Sequence, residues 1–411
     1  MNVLFTMTGS WGTGSGTVVE AVVEKLVARG HRVCVLYPET SGAPSLEGEH
    51  APAARHEVWP FPLLERGVEL YTFPLMIPDP NPTNFDRAWT FRDLEQGQID
   101  LYISSFQRRL REVVEDFEPD VIECQHIWLM PYAVAELGLP FVVAAHHSDQ
   151  MGFHFDERIR PYATRAAEAA AFIFALTAPN HDEIVELYGV EESKVLTLGN
   201  GYDRKVFKPA DVDRAAVFDR FGLDVPDDAP LVTFAGKLSR TKGVDVLLRS
   251  HRLVQERRAA AGEPPYHLVL FGTGSLGDVL DGATPASLDR VHLLGHQPYA
   301  VVRDFHNLAR FSVMPSRTEG FGLAALEAMG CGLPVITTAI GAADTFAVGP
   351  VVPSENAEAL ADAMLDLLRL DASDRAELGE AALARAHTFS WDTITDRRLD
   401  VYAHVPPAGG R

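Results

Sequence analysis

Residues Pro315-Ser316-Arg317-Thr318-Glu319-Gly320-Phe321-Gly322-Leu323-Ala324-Ala325-Leu326-Glu327-Ala328-Met329-Gly330 form a glycine-spaced loop that runs into a helix, with an acid near each end. Phe311 to Met314 before it and Val335 to Thr337 after it read as strands, so the stretch is the crossover of a βαβ unit and requires a parallel sheet. Glycines at 320 and 322 let the backbone approach a ligand closely. A helix starting near Gly322 turns its free N–H groups and positive dipole end toward that ligand. An anion is the expected guest. Glu327 lies about five residues into the helix, roughly 7 Å along the axis, so Glu319 and Glu327 can hold different parts of one elongated molecule. Carboxylates repel phosphate and accept hydrogen bonds from hydroxyls. A molecule anionic in its middle and hydroxylated at both ends is a nucleotide sugar. An acid-capped helix over an apolar face explains Leu323, Leu326 and Met329, but not both acids together with the glycine spacing.

The same alternation extends in both directions. Val3 to Met7 reads as a strand, followed by the loop Thr8-Gly9-Ser10-Trp11-Gly12-Thr13-Gly14-Ser15-Gly16-Thr17, a helix from Val18 to Arg29 and a strand from Arg32 to Tyr37. Residues 40 to 97, rich in Pro and aromatic groups, are expected to be irregular and to surround an acceptor mouth. Ile99, Tyr102, Phe106, Leu110, Val113 and Phe117 recur at helical spacing, with Arg108, Arg109 and Arg111 on the solvated face. Strands at Phe141 to Ala145, Phe172 to Leu176 and Val195 to Leu198, with helices near 158 to 171 and 181 to 188, complete one α/β unit. A Pro-punctuated connector then leads to a second unit starting at Leu231 to Ala235. Asp211-Val212-Asp213 imitates a D-x-D metal motif, but it opens a helix after Pro209, where acids favour the N-terminus. No metal is expected.

At 411 residues the chain is too long for one ordinary core and suits two domains. Its formal charge is 36 − 57 = −21, which disfavours nucleic acid and anionic membranes as partners and favours a small soluble acceptor. No apolar run approaches the roughly 20 residues of a membrane span. The first residues lack a basic region and break at Gly9, so a cytoplasmic location without stable membrane association is expected. Cys34, Cys124 and Cys331 are too scattered for a disulfide or metal framework and read as buried small hydrophobes. A homodimer is left open.

In the setting P-S-R-x-E-G-F-G-L-x-x-L-E-A-M-x-x-G-x-P-V-I, Glu319 and Glu327 form an E-x7-E signature, and the chain resembles the family 4 retaining glycosyltransferases. The resemblance spans nearly the whole chain and is strongest from Ala235 to Thr338. It implies an α/β protein of the GT-B type: two Rossmann-like, doubly wound domains facing a central cleft. Residues 1–205 would bind the acceptor, residues 206–387 the nucleotide sugar, and a C-terminal helix at 388–405 would pack back on the first domain. It also implies hexosyl transfer with retention, without metal or cofactor, the nucleoside-diphosphate sugar being a co-substrate.

Only six lysines occur, and two stand in Gly236-Lys237-Leu238-Ser239-Arg240-Thr241-Lys242-Gly243, directly after a strand. A βα turn at the carboxyl edge of a parallel sheet places fixed positive charge where a diphosphate leaves. By resemblance, Lys237 and Lys242 are the diphosphate pair. Arg is commoner in the family at position 237, so bidentate phosphate geometry is lost there. The resemblance further assigns Glu319 to the donor sugar, Glu327 to the ribose diol, and the N–H groups of Gly320, Phe321, Gly322 and Leu323 to sugar and phosphate. Gly236, the strand-ending pair Gly272 and Gly274, and the backbone at Leu294 fall beside the nucleotide, with His296 a loop residue. In the first half, the resemblance implies that Gly14 and Gly16 face the donor diphosphate. Their spacing is not G-x-G-x-x-G, and Tyr37-Pro38-Glu39 offers no clear ribose acid. Trp11 either closes over donor or acceptor or is a buried anchor. His146 matches the strand-terminal His near the reacting sugar, with His147 as alternate. His126 and Trp128 are candidates for the acceptor wall, although Trp128 equally suits the core.

Residues 342 to 350 are shorter than the family's usual glycine-rich loop, and residues 40 to 97 match no known subgroup, so base, sugar and acceptor stay open. The acidic surface and the Arg-over-Lys bias fit a small-metabolite enzyme of specialised-metabolite, thiol or disaccharide biosynthesis. A nucleotide-sugar epimerase or phosphorylase on the same fold is one alternative. A catalytically silent GT-B partner protein is another, although such proteins usually lose the lysines and glutamates kept here.

Overall fold

Val3, Leu4 and Phe5 are fully buried within the first strand, β1 (Asn2–Thr6), as a central strand of a parallel sheet requires. The computed structural model describes residues 1–9, 11, 14–40, 54–70, 75–77, 89–280, 288–340 and 343–406. Its chain divides into two units, Met1–Gly199 with Ile394–Arg411, and Asn200–Thr393. The first contains β1, β2 (Arg32–Thr40), β3 (Arg55–Phe61), β4 (Leu63–Glu65), β5 (Val68–Leu70), β6 (Leu75–Met76), β7 (Trp89–Thr90), β8 (Val121–Gln125), β9 (Phe141–Ala144), β10 (Phe172–Ala175) and β11 (Val195–Thr197). Seven of these form one parallel sheet in the order β11-β10-β9-β8-β1-β2-β3.

The expectation of an irregular segment from 40 to 97 is corrected by β3, which extends the sheet by pairing with β2 from Cys34↔Arg55 to Thr40↔Phe61. Its sequence alternates, with Trp59 and Phe61 inside, Val58 and Pro60 outside. Pro60 is tolerated because the strand is an edge. β4 and β5 make an antiparallel hairpin, and β6 pairs with β7. The helix Gln96–Phe117 buries the apolar stripe read from sequence. Of the three arginines on it, Arg108 pairs with Glu65, and Arg109 with Glu57 and Glu112. The helix expected near 158 to 171 is Arg160–Ala169, and a further helix, Ser148–Phe155, precedes it. Between them Asp156 accepts from the Arg158 guanidinium.

The second unit holds β12 (Leu231–Ala235), β13 (His267–Phe271), β14 (Val291–Gly295), β15 (Phe311–Met314), β16 (Val335–Thr338) and β17 (Val351–Val352), all parallel, in the order β14-β13-β12-β15-β16-β17. β14 escapes a hydrophobicity reading because it is an edge strand with Leu293 exposed. The helix Ala372–His387 was likewise not anticipated. Asp213 caps the helix Arg214–Phe221, its Oδ1 accepting from Ala216 N at 3.0 Å, so this acid of the D-x-D has a structural role. The three cysteines are buried and free. Among the described residues no helix is long and apolar enough to cross a membrane.

In each sheet the strand order reverses at one place, between β1 and β8 in the first and between β12 and β15 in the second. Parallel sheets bind ligands outside the carboxyl ends of the strands at such a reversal. The loop 236–243 follows β12 and the loop 315–322 follows β15, so the second reversal is flanked by the lysine loop and the signature loop.

Candidate functional site

Lys242 Nζ lies 2.8 Å from Glu319 Oε1, joining those two loops. The same oxygen accepts from Ser316 Oγ at 2.8 Å. Both partners of the ion pair keep some solvent access, with 28% of the Lys242 side chain and 13% of Glu319 exposed. Lys237, on the same loop, makes no hydrogen bond or ion pair among the described residues and is half-buried. The helix Leu323–Gly330 starts at Gly322, and its first intrahelical bonds are those of Ala325 and Leu326 to Gly322 O. The N–H groups of residues 320–324 have no acceptor among the described residues, leaving them free for an anion. Glu327 also lacks a partner there, and burial pushes its carboxyl up to about 8. The Phe321 ring faces the core, against Phe346 and Phe389, so only its backbone can serve a ligand.

The proximity of the loops is set by two contacts that no side chain other than hydrogen permits. A Cβ on Gly243, which sits at φ +68°, would meet Pro315 O at 1.9 Å, and one on Gly272, at φ +134°, would meet Gly236 O at 1.9 Å. Leu238 N donates to Thr273 O and Gly272 N to Gly295 O, stacking the loops after β12, β13 and β14 side by side. Arg317, given no role by the sequence reading, clamps the assembly. Its guanidinium bonds both oxygens of Asp245 at 2.6 and 2.9 Å, Glu355 at 2.8 Å, and the carbonyl of Arg240. Burial works to raise the Asp245 carboxyl, but the bound guanidinium outweighs it and holds Asp245 below the usual carboxylate range. A cavity of about 350 Å³ lined by Pro209, Arg310, Cys331 and Arg375 lies at the opposite, amino ends of β15 and β16 and shares none of these groups.

In the first unit, His146 follows β9 and its Nε2 lies 2.8 Å from Gln125 Oε1 at the end of β8. Its backbone N–H donates to Asp149 Oδ1 at 3.0 Å, while Ile127 N donates to Oδ2 at 2.7 Å, so buried Asp149 ties the two strand ends together. The His126 ring lies 4.6 Å from that of His146. His126 and His147 sit at φ +69° and +68°, a conformation that costs non-glycine residues about 1–3 kcal/mol and concentrates at functional sites. His147 Nδ1 is 3.4 Å from Glu183. Trp128 is 0% exposed, packed against Phe91 and beneath Gly152, which removes it from any acceptor wall. Trp11 is half-buried, edge-on to His56 at 4.8 Å. Gly14 and Gly16 lie in the first turn of the helix Gly14–Ala28 rather than in the preceding loop, whose residues 12–13 are outside the described set.

Comparison with known proteins gives the family of the chain. Residues 229–370 match the family described as glycosyl transferases group 1, and residues 13–201 match the glycosyl transferase 4-like domain. The chain is 31% identical over 346 residues to the D-inositol 3-phosphate glycosyltransferase of Saccharomonospora viridis, covering 78% of this chain and 79% of that protein. It belongs to the family 4 glycosyltransferases. Another relative is D-inositol 3-phosphate glycosyltransferase 1 of Catenulispora acidiphila, 29% identical over 77% of this chain and 79% of that protein. Sucrose-phosphate synthase from Thermosynechococcus elongatus superposes on the glycosyltransferase with a TM-score of 0.70 at 19% identity, over 98% of each chain. HepE from Anabaena, solved in complex with UDP and glucose, gives 0.68 at 18% identity over 98% of this chain and 100% of that one. The GT-B fold follows from these likenesses. Within the glycosyltransferase, Lys242 and Glu319 are in contact at one sheet edge, whereas Arg317, Asp245, Gln125 and Asp149 were not singled out by the motif reading.

Proposed function

We propose that this glycosyltransferase moves a hexosyl group from a nucleoside-diphosphate sugar to a small hydroxylated acceptor, with retention and without a metal. The observation that carries the reading is the ion pair of Lys242 with Glu319 beside the unbonded N–H groups of residues 320–324. Lys237, Lys242 and those N–H groups supply positive potential for the departing diphosphate. Glu319 accepts from hydroxyls of the transferred sugar, and Glu327 from the ribose diol. As the bond from the anomeric carbon to the phosphate oxygen breaks, the acceptor oxygen bonds to that carbon on the same face. Its proton passes to the departing phosphate oxygen, so no side-chain nucleophile is required. His146 accepts from a sugar hydroxyl, and His126, His147 and Trp11 remain the acceptor-side candidates. The named relatives favour a phosphorylated cyclitol as acceptor, and the UDP-bound neighbour favours a uridine donor.

The test is to mix purified protein, in chelator, with UDP-, GDP- and ADP-hexoses and with inositol, inositol 3-phosphate or simple hexoses. Glycoside is then sought by mass spectrometry and its anomeric configuration read by NMR. A product with the donor's configuration is expected. Conversion of donor to an isomer without acceptor indicates epimerase chemistry instead. Ligand at 100 times its dissociation constant adds about 2.7 kcal/mol, so a melting screen identifies the base.

A further inference from the structure

Glu123 and Gln125 lie two residues apart on β8 and therefore on the same face of the sheet, and both are sealed from solvent. Glu123 Oε2 accepts from the Tyr402 hydroxyl and from Arg398 Nε at 3.3 Å, while Oε1 accepts from Gln125 Nε2 at 3.0 Å. Gln125 Oε1 then meets His146 Nε2 at 2.8 Å. Arg398 and Tyr402, each 2% exposed, come from the helix Trp391–Tyr402. The donor and acceptor inventory fixes the direction of every bond. A carboxylate only accepts, a guanidinium only donates, and a carboxamide donates from nitrogen and accepts at oxygen. With its nitrogen committed to Glu123, Gln125 can only accept from His146, so His146 carries its proton on Nε2. Its Nδ1 makes no hydrogen bond and is not among the buried unpaired atoms, so the lone pair there is open to a ligand.

We propose that Tyr402, Arg398, Glu123 and Gln125 form a positioning relay that fixes His146 as its Nε2–H tautomer and presents the Nδ1 lone pair to a sugar hydroxyl. Burial, with the neighbouring His126 and Arg398, holds the His146 imidazole well below its ordinary pKa, so the neutral ring is the relevant form. The tautomer stands on the hydrogen-bond geometry alone. Its use toward a hydroxyl rests on the transferase reading above.

The test is long-range proton–nitrogen correlation NMR on full-length protein labelled at histidine nitrogen, with the His146 signals identified by their loss in His146→Asn. The wild type should show the Nε2–H pattern. Glu123→Gln keeps the shape but inverts the relay: the new amide oxygen stays with Arg398 and Tyr402, and its NH2 group faces Gln125. The Gln125 carboxamide must then rotate and offer its own NH2 group to His146, moving the His146 proton to Nδ1. Turnover should fall about tenfold, as expected for one lost hydrogen bond, with donor KM changed less than about twofold. Gln125→Leu, which has no polarity to impose, should give mixed tautomers. It serves as the second readout if Glu123→Gln melts at the assay temperature. An Nδ1–H pattern in the wild type, or the same pattern in wild type and both variants, overturns the relay. A switched tautomer with unchanged turnover overturns its role toward the sugar. Absence of any glycoside from wild-type protein, with the tautomer switching as described, retains the relay and removes the transferase reading.

Discussion

The carboxyl edges of the two sheets present their polar groups in different ways. On the second, charge is partly exposed and held by backbone: Lys242 and Glu319 touch because Gly243 lets its loop rest on Pro315. On the first, the groups at the strand ends are neutral or buried: His126 and His147 are held at positive φ, and His146 between them is oriented by a chain of side-chain hydrogen bonds. The second sheet's arrangement suits an anionic, leaving diphosphate, which needs fixed positive potential at close range. The first sheet's suits hydroxyl groups, where the direction of a lone pair discriminates more than net charge does.

Breaking the glycine contact should do most damage. Gly243→Ala forces a Cβ against Pro315 O and strains a left-handed backbone, so the loops must separate. Misplacement on the scale of 1 Å costs about a hundredfold in turnover. Steady-state kinetics with the melting curve separates this from unfolding, and near-normal turnover would show that the loops need not touch. Lys242→Ala removes one charge-assisted contact worth about 1.5–3 kcal/mol, and a roughly ten- to hundredfold fall in kcat/KM is expected. Unchanged activity there would move the diphosphate elsewhere.

Glu327 sharpens the contrast through pH. Its carboxyl titrates near 4.5 when unfolded and at about 8 when folded. Between those values the unfolded chain has released a proton that the native state keeps. This group's contribution is therefore complete below the unfolded value and declines as pH rises through about 8. The melting temperature of wild type relative to Glu327→Gln should fall from pH 5 to pH 8, and parallel profiles would show that the carboxyl is not held protonated. The smallest catalytic effect belongs to Trp128→Phe, which should cost about 1–2 kcal/mol in denaturant unfolding and leave kcat and KM unchanged. A large kinetic loss at full stability would return Trp128 to the acceptor wall.

The same contrast explains what could be read from sequence. The signature loop and the lysine loop are contiguous motifs whose glycine spacing encodes local backbone geometry, so the two loops that Lys242 and Glu319 join were legible, as was the alternation that builds two parallel sheets. Edge strands β3 and β14 were not, because half-exposed strands carry little hydrophobic signal and β3 contains Pro60. Trp128 and His126 are two residues apart beyond β8, and only the structure shows that one turns into the core while the other lies against His146. The relay was invisible for a different reason: Arg398 and Glu123 are 275 residues apart, and nothing local in either sequence window indicates the other.

That separation has a consequence during synthesis. A ribosome releasing this chain delivers β8 with its inward-facing Glu123 long before Arg398 and Tyr402 have left the exit tunnel. A carboxylate cannot be enclosed in apolar surroundings without its partners, at a cost of several kcal/mol. The earlier-made unit must therefore stay loose, or keep that strand wet, until the helix Trp391–Tyr402 arrives, and residues translated much later seal β8.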